Sequence, residues 1–317
     1  MPKQPAIPGL RDAMKKVMQR EQFPAEMDTV VPLERLMALI AQHYPKAEPK
    51  GGRPPVSLET KLRVYFLQNW YALSDPIAEE TLHDSEAMRR FAGVELGDDR
   101  VSDEITLLNF RHLLERHGLT ETIFAETNAH LADKGITLRW GTLVDATILD
   151  ALSSTKNKAG TRDPEMSSTN KGNDWYFGMK AHIGVDADSG TVHSLDTSTA
   201  MPHDGQVWDE LLLGEETSVW AYMGYVNADY EAALKGPGND WGVMGKAPKG
   251  RDLDPLDARI NHIIAMVRAK VEYPFRVIKR QFGHVKTRYC GLDKNRAQLF
   301  ALFALGNLFL VRGRPMA

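Results

Sequence analysis

The chain has 317 residues, of which 43% are hydrophobic and 26% are charged, as in an ordinary soluble globular protein. This length favours two domains over one. A single cysteine, Cys290, excludes an intramolecular disulfide and any cysteine-based zinc cluster. We see no signal peptide and no apolar run long enough to span a bilayer, so we expect a cytoplasmic protein without a membrane partner.

Positive charge is concentrated near the C-terminal end. From residue 268 to 317, eleven lysines and arginines stand against two acids, a net charge of +9, so the rest of the chain carries −12. This separation of positive from negative charge along the chain favours a surface that binds phosphate groups. The alternative is that some of these bases pair with the acidic remainder of the chain.

The first 135 residues predict short helices and no convincing strand. Apolar residues recur at helical spacing from Leu33 to Ile40, and Ser57 and Ser85 are suitable N-caps for later helices. The predicted helices cover residues 32–43, 58–72, 102–117 and 120–134, with shorter ones starting at Asp75 and Ser85. This pattern fits a helix-turn-helix-like bundle, although other helical bundles share it.

From residue 136 the pattern changes to strands and helices. The predicted strands cover residues 138–148, 179–185, 191–195, 218–222 and 241–244, and the predicted helices cover 203–213, 257–270 and 294–311. This order predicts an α/β domain with an antiparallel hairpin. We therefore expect a helical domain over residues 1–135 and an α/β domain over residues 136–317.

A long polar segment separates the first two predicted strands. Residues 153–174 have little apolar surface to bury and carry four bases, which are Lys156, Lys158, Arg162 and Lys171. Surface loops of this length are often functional. We favour a loop that contacts phosphate groups, and a disordered insertion is the alternative.

Asp145 lies inside an apolar predicted strand. A carboxylate in that setting is costly unless it is paired or bound to a cation. One interpretation is a magnesium ligand, because Mg²⁺ is typically held by one or two carboxylates together with water and substrate phosphate. The other is an aspartate at a strand end that accepts hydrogen bonds from backbone amides.

Another acid of interest is Glu272, which lies within a run of cations. On a helix, Arg268, Glu272 and Lys279 fall within about 40° of one another. This arrangement is typical of a metal-binding acid that faces a polyanion. The plainer interpretation is a solvated basic helix with one ion pair.

Together these segments resemble bacterial insertion-sequence transposases of the DDE type. Within that family the chain is similar to the group that carries an Arg–Glu–Lys signature on its last catalytic helix, here Arg268-x3-Glu272-x6-Lys279. The resemblance covers most of the chain. Its other segments are residues 143–148, residues 175–186, the basic stretch that ends at Pro55, and residues 110–115.

The resemblance implies an all-helical DNA-binding domain followed by a ribonuclease-H-like catalytic domain with a mixed sheet. In this family three acids hold two Mg²⁺ ions, and Mn²⁺ serves as a substitute. Water and then a 3′-hydroxyl attack phosphodiesters at the ends of the element. Asp145 matches the first acid and Glu272 the third, with Arg268 and Lys279 beside them.

The partners that the resemblance implies are double-stranded DNA and a second copy of the chain. We expect a set of bases in both domains to contact the DNA. These are Arg53, Lys61, Arg63, Lys156, Lys158, Arg162, Lys171, Lys180, Arg276 and Arg280.

Tyr222 stands where the family carries its second acid. A phenol has a pKa of about 10, stays neutral at pH 7 and is a poor Mg²⁺ ligand. Asp229 lies seven residues further on and Asp204 follows His203, but neither occupies the strand end, and we expect neither to compensate. The sequence therefore predicts a transposase with impaired turnover. A non-catalytic DNA-binding regulator derived from a transposase is the alternative, and a ribonuclease-H-like nuclease unrelated to transposition is a third.

Overall fold

The computed structural model describes residues 19–45, 56–94, 101–136, 141–156, 160–214, 216–234 and 239–314. Up to residue 136 the described chain forms helices. These are α1 (Gln19–Asp28), α2 (Leu33–Ala41), α3 (Leu58–Trp70), α4 (Asp75–Asp84), α5 (Glu86–Ala92), α6 (Glu104–Arg116) and α7 (Leu119–Asp133).

Side-chain caps determine where several of these helices begin. Ser57 accepts a hydrogen bond from the Thr60 amide at the start of α3, and Asp103 does the same for Thr106 at the start of α6. Each cap satisfies a backbone N–H that has no partner within the helix. The predicted helices of this region are therefore found within about two residues of their expected ends.

A six-stranded mixed sheet follows the helices. Its strands are β1 (Gly141–Asp150), β2 (Ser167–Lys171), β3 (Asp174–Asp186), β4 (Val192–Thr199), β5 (Ser218–Ala221) and β6 (Asp240–Val243). The long strand β3 pairs with β1 on one edge and with β2 and β4 on the other, all antiparallel. Beyond β1 the sheet continues with β5 and β6, which are parallel to it. This mixed sheet after a helical region is the predicted ribonuclease-H-like fold.

The remaining helices pack around the sheet. They are α8 (Trp208–Leu211), α9 (Ala228–Leu234), α10 (Pro255–Arg268), α11 (Glu272–Arg276) and α12 (Leu292–Val311). A 3₁₀ turn, Ala269–Val271, joins α10 to α11, and a π-helical turn, Val277–Gln281, follows α11. Two further 3₁₀ turns, Asp204–Gln206 and Met223–Tyr225, flank β5.

The helical region and the sheet share one hydrophobic core. Phe300 of α12 stacks edge-on against Phe124 of α7, with ring centroids 5.5 Å apart. Asn307 of α12 bonds both the N–H and the C=O of Val192 in β4, and it also donates to Asn128 of α7. A smaller cluster around Trp208 and Val219 fills the opposite face of the sheet. Since α12 contacts both regions, it holds the sheet firmly against the N-terminal helices.

Two local predictions for the α/β region were wrong. The polar segment 153–174 contains β2, an edge strand that pairs with β3 although its sequence lacks apolar alternation. The helix predicted over residues 203–213 is instead the 3₁₀ turn Asp204–Gln206 followed by α8. In both places tertiary pairing overrides a weak local pattern. Among the residues that the structure describes, no helix combines the length and apolar character that a membrane span requires.

Candidate active site

The parallel pairing of β1 and β5 brings Asp145 and Tyr222 side by side. Val144 pairs with Ala221, so Asp145 and Tyr222 are each the next residue beyond that pair. Side chains alternate along a strand, so both point to the face that Leu143 and Trp220 occupy. The predicted position of the second acid therefore adjoins Asp145, the predicted first acid, and a phenol that is 45% exposed stands there.

The helical segment that runs from α10 into α11 carries Arg268 and Glu272, the predicted third acid, to these strand ends. Asp254 caps α10 through the Leu256 amide, and Pro255 occupies its first turn. From Arg268 to Glu272 the backbone stays helical through the 3₁₀ turn, so the two side chains remain on one face. Arg268 and Glu272 consequently line the same cavity as Asp145.

Arg268 joins the two strand ends. Its Nη2 lies 3.2 Å from Oδ2 of Asp145, and its guanidinium carbon lies 5.5 Å from the ring centroid of Tyr222. Burial raises the pKa of Asp145, while the positive charge of Arg268 acts in the opposite direction. Arg268 thus compensates a carboxylate that the apolar strand would otherwise disfavour.

Lys279 reaches β1 from the π-helical turn. Its Nζ donates to Oγ1 of Thr147 at 2.6 Å and to the Ile148 carbonyl at 3.2 Å. Burial lowers its pKa. Lys279 therefore ties the helix to the strand just beyond Asp145, and π-helical turns of this kind are frequent at functional sites.

A second ion pair lies in the same cavity, which has a volume of about 520 Å³. Lys180 of β3 donates from Nζ to Oδ1 of Asp204 at 2.8 Å and to the Pro202 carbonyl at 2.6 Å. Thr169, Asn170 and Lys171 from β2 complete the opposite rim. Acids and bases from five separate segments thus converge on one cavity.

Tyr225 lies at the base of the cavity. Its side chain is 1% exposed, and its hydroxyl has no hydrogen-bond partner among the described residues. Burial raises the pKa of Tyr225 well above its usual value, and the charges of Asp204 and Asp145 add to the effect. The hydroxyl therefore keeps its proton and remains available as a donor.

Two protein families match the sequence. The transposase DDE domain matches residues 136–308, and a transposase domain called DUF772 matches residues 11–113. The first match alone covers more than half of the chain. The chain belongs to the DDE transposase family. No solved structure matches it.

The donor set of the transposase can be compared with what a divalent cation requires. Asp145 and Glu272 line one cavity, and two carboxylates with water and substrate phosphate suit Mg²⁺. Within the described residues, no group of three or more His, Cys, Asp or Glu side chains is close enough together to hold a metal ion. Asp145 and Glu272 therefore fit a divalent cation as a pair of carboxylates, and the residue after β5 in the same cavity is the phenol of Tyr222.

The bases predicted to contact DNA occupy three kinds of position. Lys171 and Lys180 line the cavity, and Lys180 is buried in its ion pair. Four others are exposed on the surface, which are Lys156, Arg162, Arg276 and Arg280. In α3, Arg63 is paired with Asp28 and Glu59, and Lys61 lies over the ring of Tyr44. Arg53 and Lys158 lie outside the described residues.

Asp204 is the charged residue of the described lining that the sequence did not place at the site. The sequence shows it only as an acid near the second-acid position, away from any strand end. Its place in the cavity depends on packing between two 3₁₀ turns that no local pattern indicates. Asp229, the other candidate, is exposed on α9 and is not among the cavity-lining residues.

Proposed function

We propose that this transposase binds the ends of an insertion sequence, cleaves and joins DNA strands with the help of Mg²⁺, and is impaired by Tyr222. One observation carries the proposal: Asp145 from the first strand and Glu272 from the late helix line a single cavity. Acids that reach one cavity from distant segments are typical of a phosphoryl-transfer site.

The chemistry divides between the ion and the side chains. Asp145 and Glu272 would hold Mg²⁺, which activates an attacking oxygen and stabilises a leaving oxygen in phosphoryl transfer. Arg268 compensates the charge of Asp145, and its planar guanidinium suits a DNA phosphate. Lys279 fixes the strand next to Asp145. The neutral phenol of Tyr222 provides neither the charge nor the oxygen ligand of an aspartate.

The DNA path in this proposal begins at the cavity. Lys171 at the rim and the exposed Lys156 and Arg162 are positioned to neutralise phosphates. The helical region, residues 1–135 in our assignment, supplies the remaining DNA contacts. A homodimer would present one such cavity to each end of the element.

A second candidate function is a DNA-binding regulator that does not cut. Two observations favour it: Tyr222 replaces a charged ligand, and Arg268 already neutralises Asp145. Such a protein would occupy the ends of the element and exclude active relatives.

Strand cleavage of DNA that carries the element's ends distinguishes the two functions. Purified wild type, Tyr222→Asp and Tyr222→Phe are compared over a range of Mg²⁺ and Mn²⁺ concentrations. We expect the wild type to nick DNA weakly. Tyr222→Asp should nick at least about tenfold faster, because it restores one metal ligand, and Tyr222→Phe should show no gain. Equal rates in the wild type and Tyr222→Asp would contradict the impairment. Binding without cleavage in all three proteins would support the regulator.

A further inference from the structure

A carboxylate from another element faces the position of the second acid. Asp204 begins a 3₁₀ turn that packs against the turn directly after Tyr222. Its Oδ2 atom lies 3.9 Å from the place that a Cβ atom would occupy on Gly224. Asp204 thus reaches the neighbourhood of the missing acid from the loop after β4, whereas the family's acid reaches it from the end of β5.

Lys180 holds the Asp204 carboxylate at this place. The Lys180 ammonium group bridges Asp204 and the Pro202 carbonyl, and its own side chain is only 11% exposed. Breaking a partly buried ion pair of this kind is costly, because one charge is left without compensation. The carboxylate is therefore positioned by the protein before any ligand arrives.

An independent observation points to a ligand in the cavity. Tyr225 lines the cavity, and its buried hydroxyl has no hydrogen-bond partner among the described residues. A buried polar group without a hydrogen bond costs about 1–3 kcal/mol. A phenol O–H that faces acids suits an oxygen ligand, such as a metal-bound water or a phosphate oxygen.

We propose that Asp204 supplies the second metal-binding carboxylate of this transposase, in place of the acid that Tyr222 lacks. The inference rests on the proposed function, because it requires that the cavity take a divalent cation. One or two carboxylates with water and substrate phosphate are enough for Mg²⁺. Asp204 therefore needs to act with only one of Asp145 and Glu272, and a preformed cluster of three acids is not required.

Asp229 provides a matched control for this proposal. It is also an aspartate outside the strands, and it follows β5 seven residues after Tyr222 in the sequence. Its side chain is exposed on α9 and is not among the cavity-lining residues. A change of the same chemistry at Asp229 should therefore leave metal binding unaltered.

The test measures Mn²⁺ binding to the full chain from the electron paramagnetic resonance signal of free Mn²⁺, without DNA. Asp204→Asn should weaken Mn²⁺ binding by about tenfold or more, while Asp229→Asn should match the wild type. Thermal unfolding without metal verifies that each variant is folded. Unchanged Mn²⁺ affinity in folded Asp204→Asn would overturn the inference and leave the proposed function standing. A wild type that binds no Mn²⁺ would overturn both.

A change of ligand type gives a second measurement that does not depend on the Asn variant. Thiolates favour Zn²⁺ over Mn²⁺, so Asp204→Cys should raise the ratio of Zn²⁺ to Mn²⁺ affinity by about tenfold or more. Cys290→Ser serves as the background because Cys290 is exposed. Asp229→Cys in the same background is the control, and an equal rise in both variants would refute the role of Asp204.

Discussion

The two walls of the cavity match the predicted pattern of three acids to different degrees. On the first wall, β1 and the helix after residue 255 present Asp145, Arg268 and Glu272. On the second wall, β5 ends in Tyr222, and the nearby carboxylate belongs to Asp204 in a short turn. The first wall is anchored by Leu143 and Val144, which precede Asp145 and are fully buried, whereas the second consists of 3₁₀ turns. Tyr222 occupies the strand end where an acid is expected, while the nearby carboxylate on this wall comes from Asp204. The residue at a given strand position therefore need not supply the functional group at the corresponding place in the cavity.

The largest effect is expected on the first wall. Asp145→Asn keeps the shape of the side chain and removes its charge, so strand cleavage should fall by at least about a hundredfold. The rate of nicking of element-end DNA in Mg²⁺ measures the loss. Asp150→Asn, at the end of the same strand and not among the cavity-lining residues, is the control. Similar losses from both changes would show that damage to β1, and not loss of a ligand, explains the result.

A smaller effect, on stability, should come from the residue that joins the walls. Arg268→Met leaves the Asp145 carboxylate, whose side chain is 19% exposed, without its ion pair. We expect the free energy of unfolding at pH 7 to fall by about 1–3 kcal/mol, measured by chemical denaturation. In the background of Asp145→Asn the same change should cost clearly less. Equal costs in the two backgrounds would mean that Arg268 stabilises through packing alone.

The smallest effect is expected at the rim. Lys171→Gln removes one exposed charge beside the cavity, so the slope of log K for DNA binding against log salt should become shallower by about one. Fluorescence anisotropy at several salt concentrations measures that slope. Lys249→Gln removes an exposed charge that we did not assign to the DNA path. A change of slope at Lys249 and none at Lys171 would place the DNA on a different surface.

Local chemistry made much of the fold predictable. Ser57 caps a helix that begins where expected, and Asp103 caps one that begins two residues after its expected start, because an N-cap acts on amides only two or three residues away. The five predicted strands are also found, since apolar and β-branched residues mark them directly. The edge strand β2 was missed, because polar residues form it only when β3 lies beside it.

The site residues that could be predicted are those whose charge is unusual for the neighbouring sequence. Asp145 in an apolar strand and Glu272 among bases both attract attention, and the structure brings them to one cavity with Arg268. The bond from Lys279 to Thr147 was not predictable, because nothing near either residue indicates the other. Asp204 was discounted for the same reason.

The sequence by itself determined most of the helical and strand segments and the charge asymmetry, and it predicts the loss of an acid at Tyr222. Each of these depends on residue identity or on spacing within a few residues. Only the tertiary structure decided that Tyr222 stands beside Asp145, that Arg268 contacts both, and that Asp204 faces the same cavity. Those relations follow from strand register and from the packing of turns, which join segments that are distant in the chain.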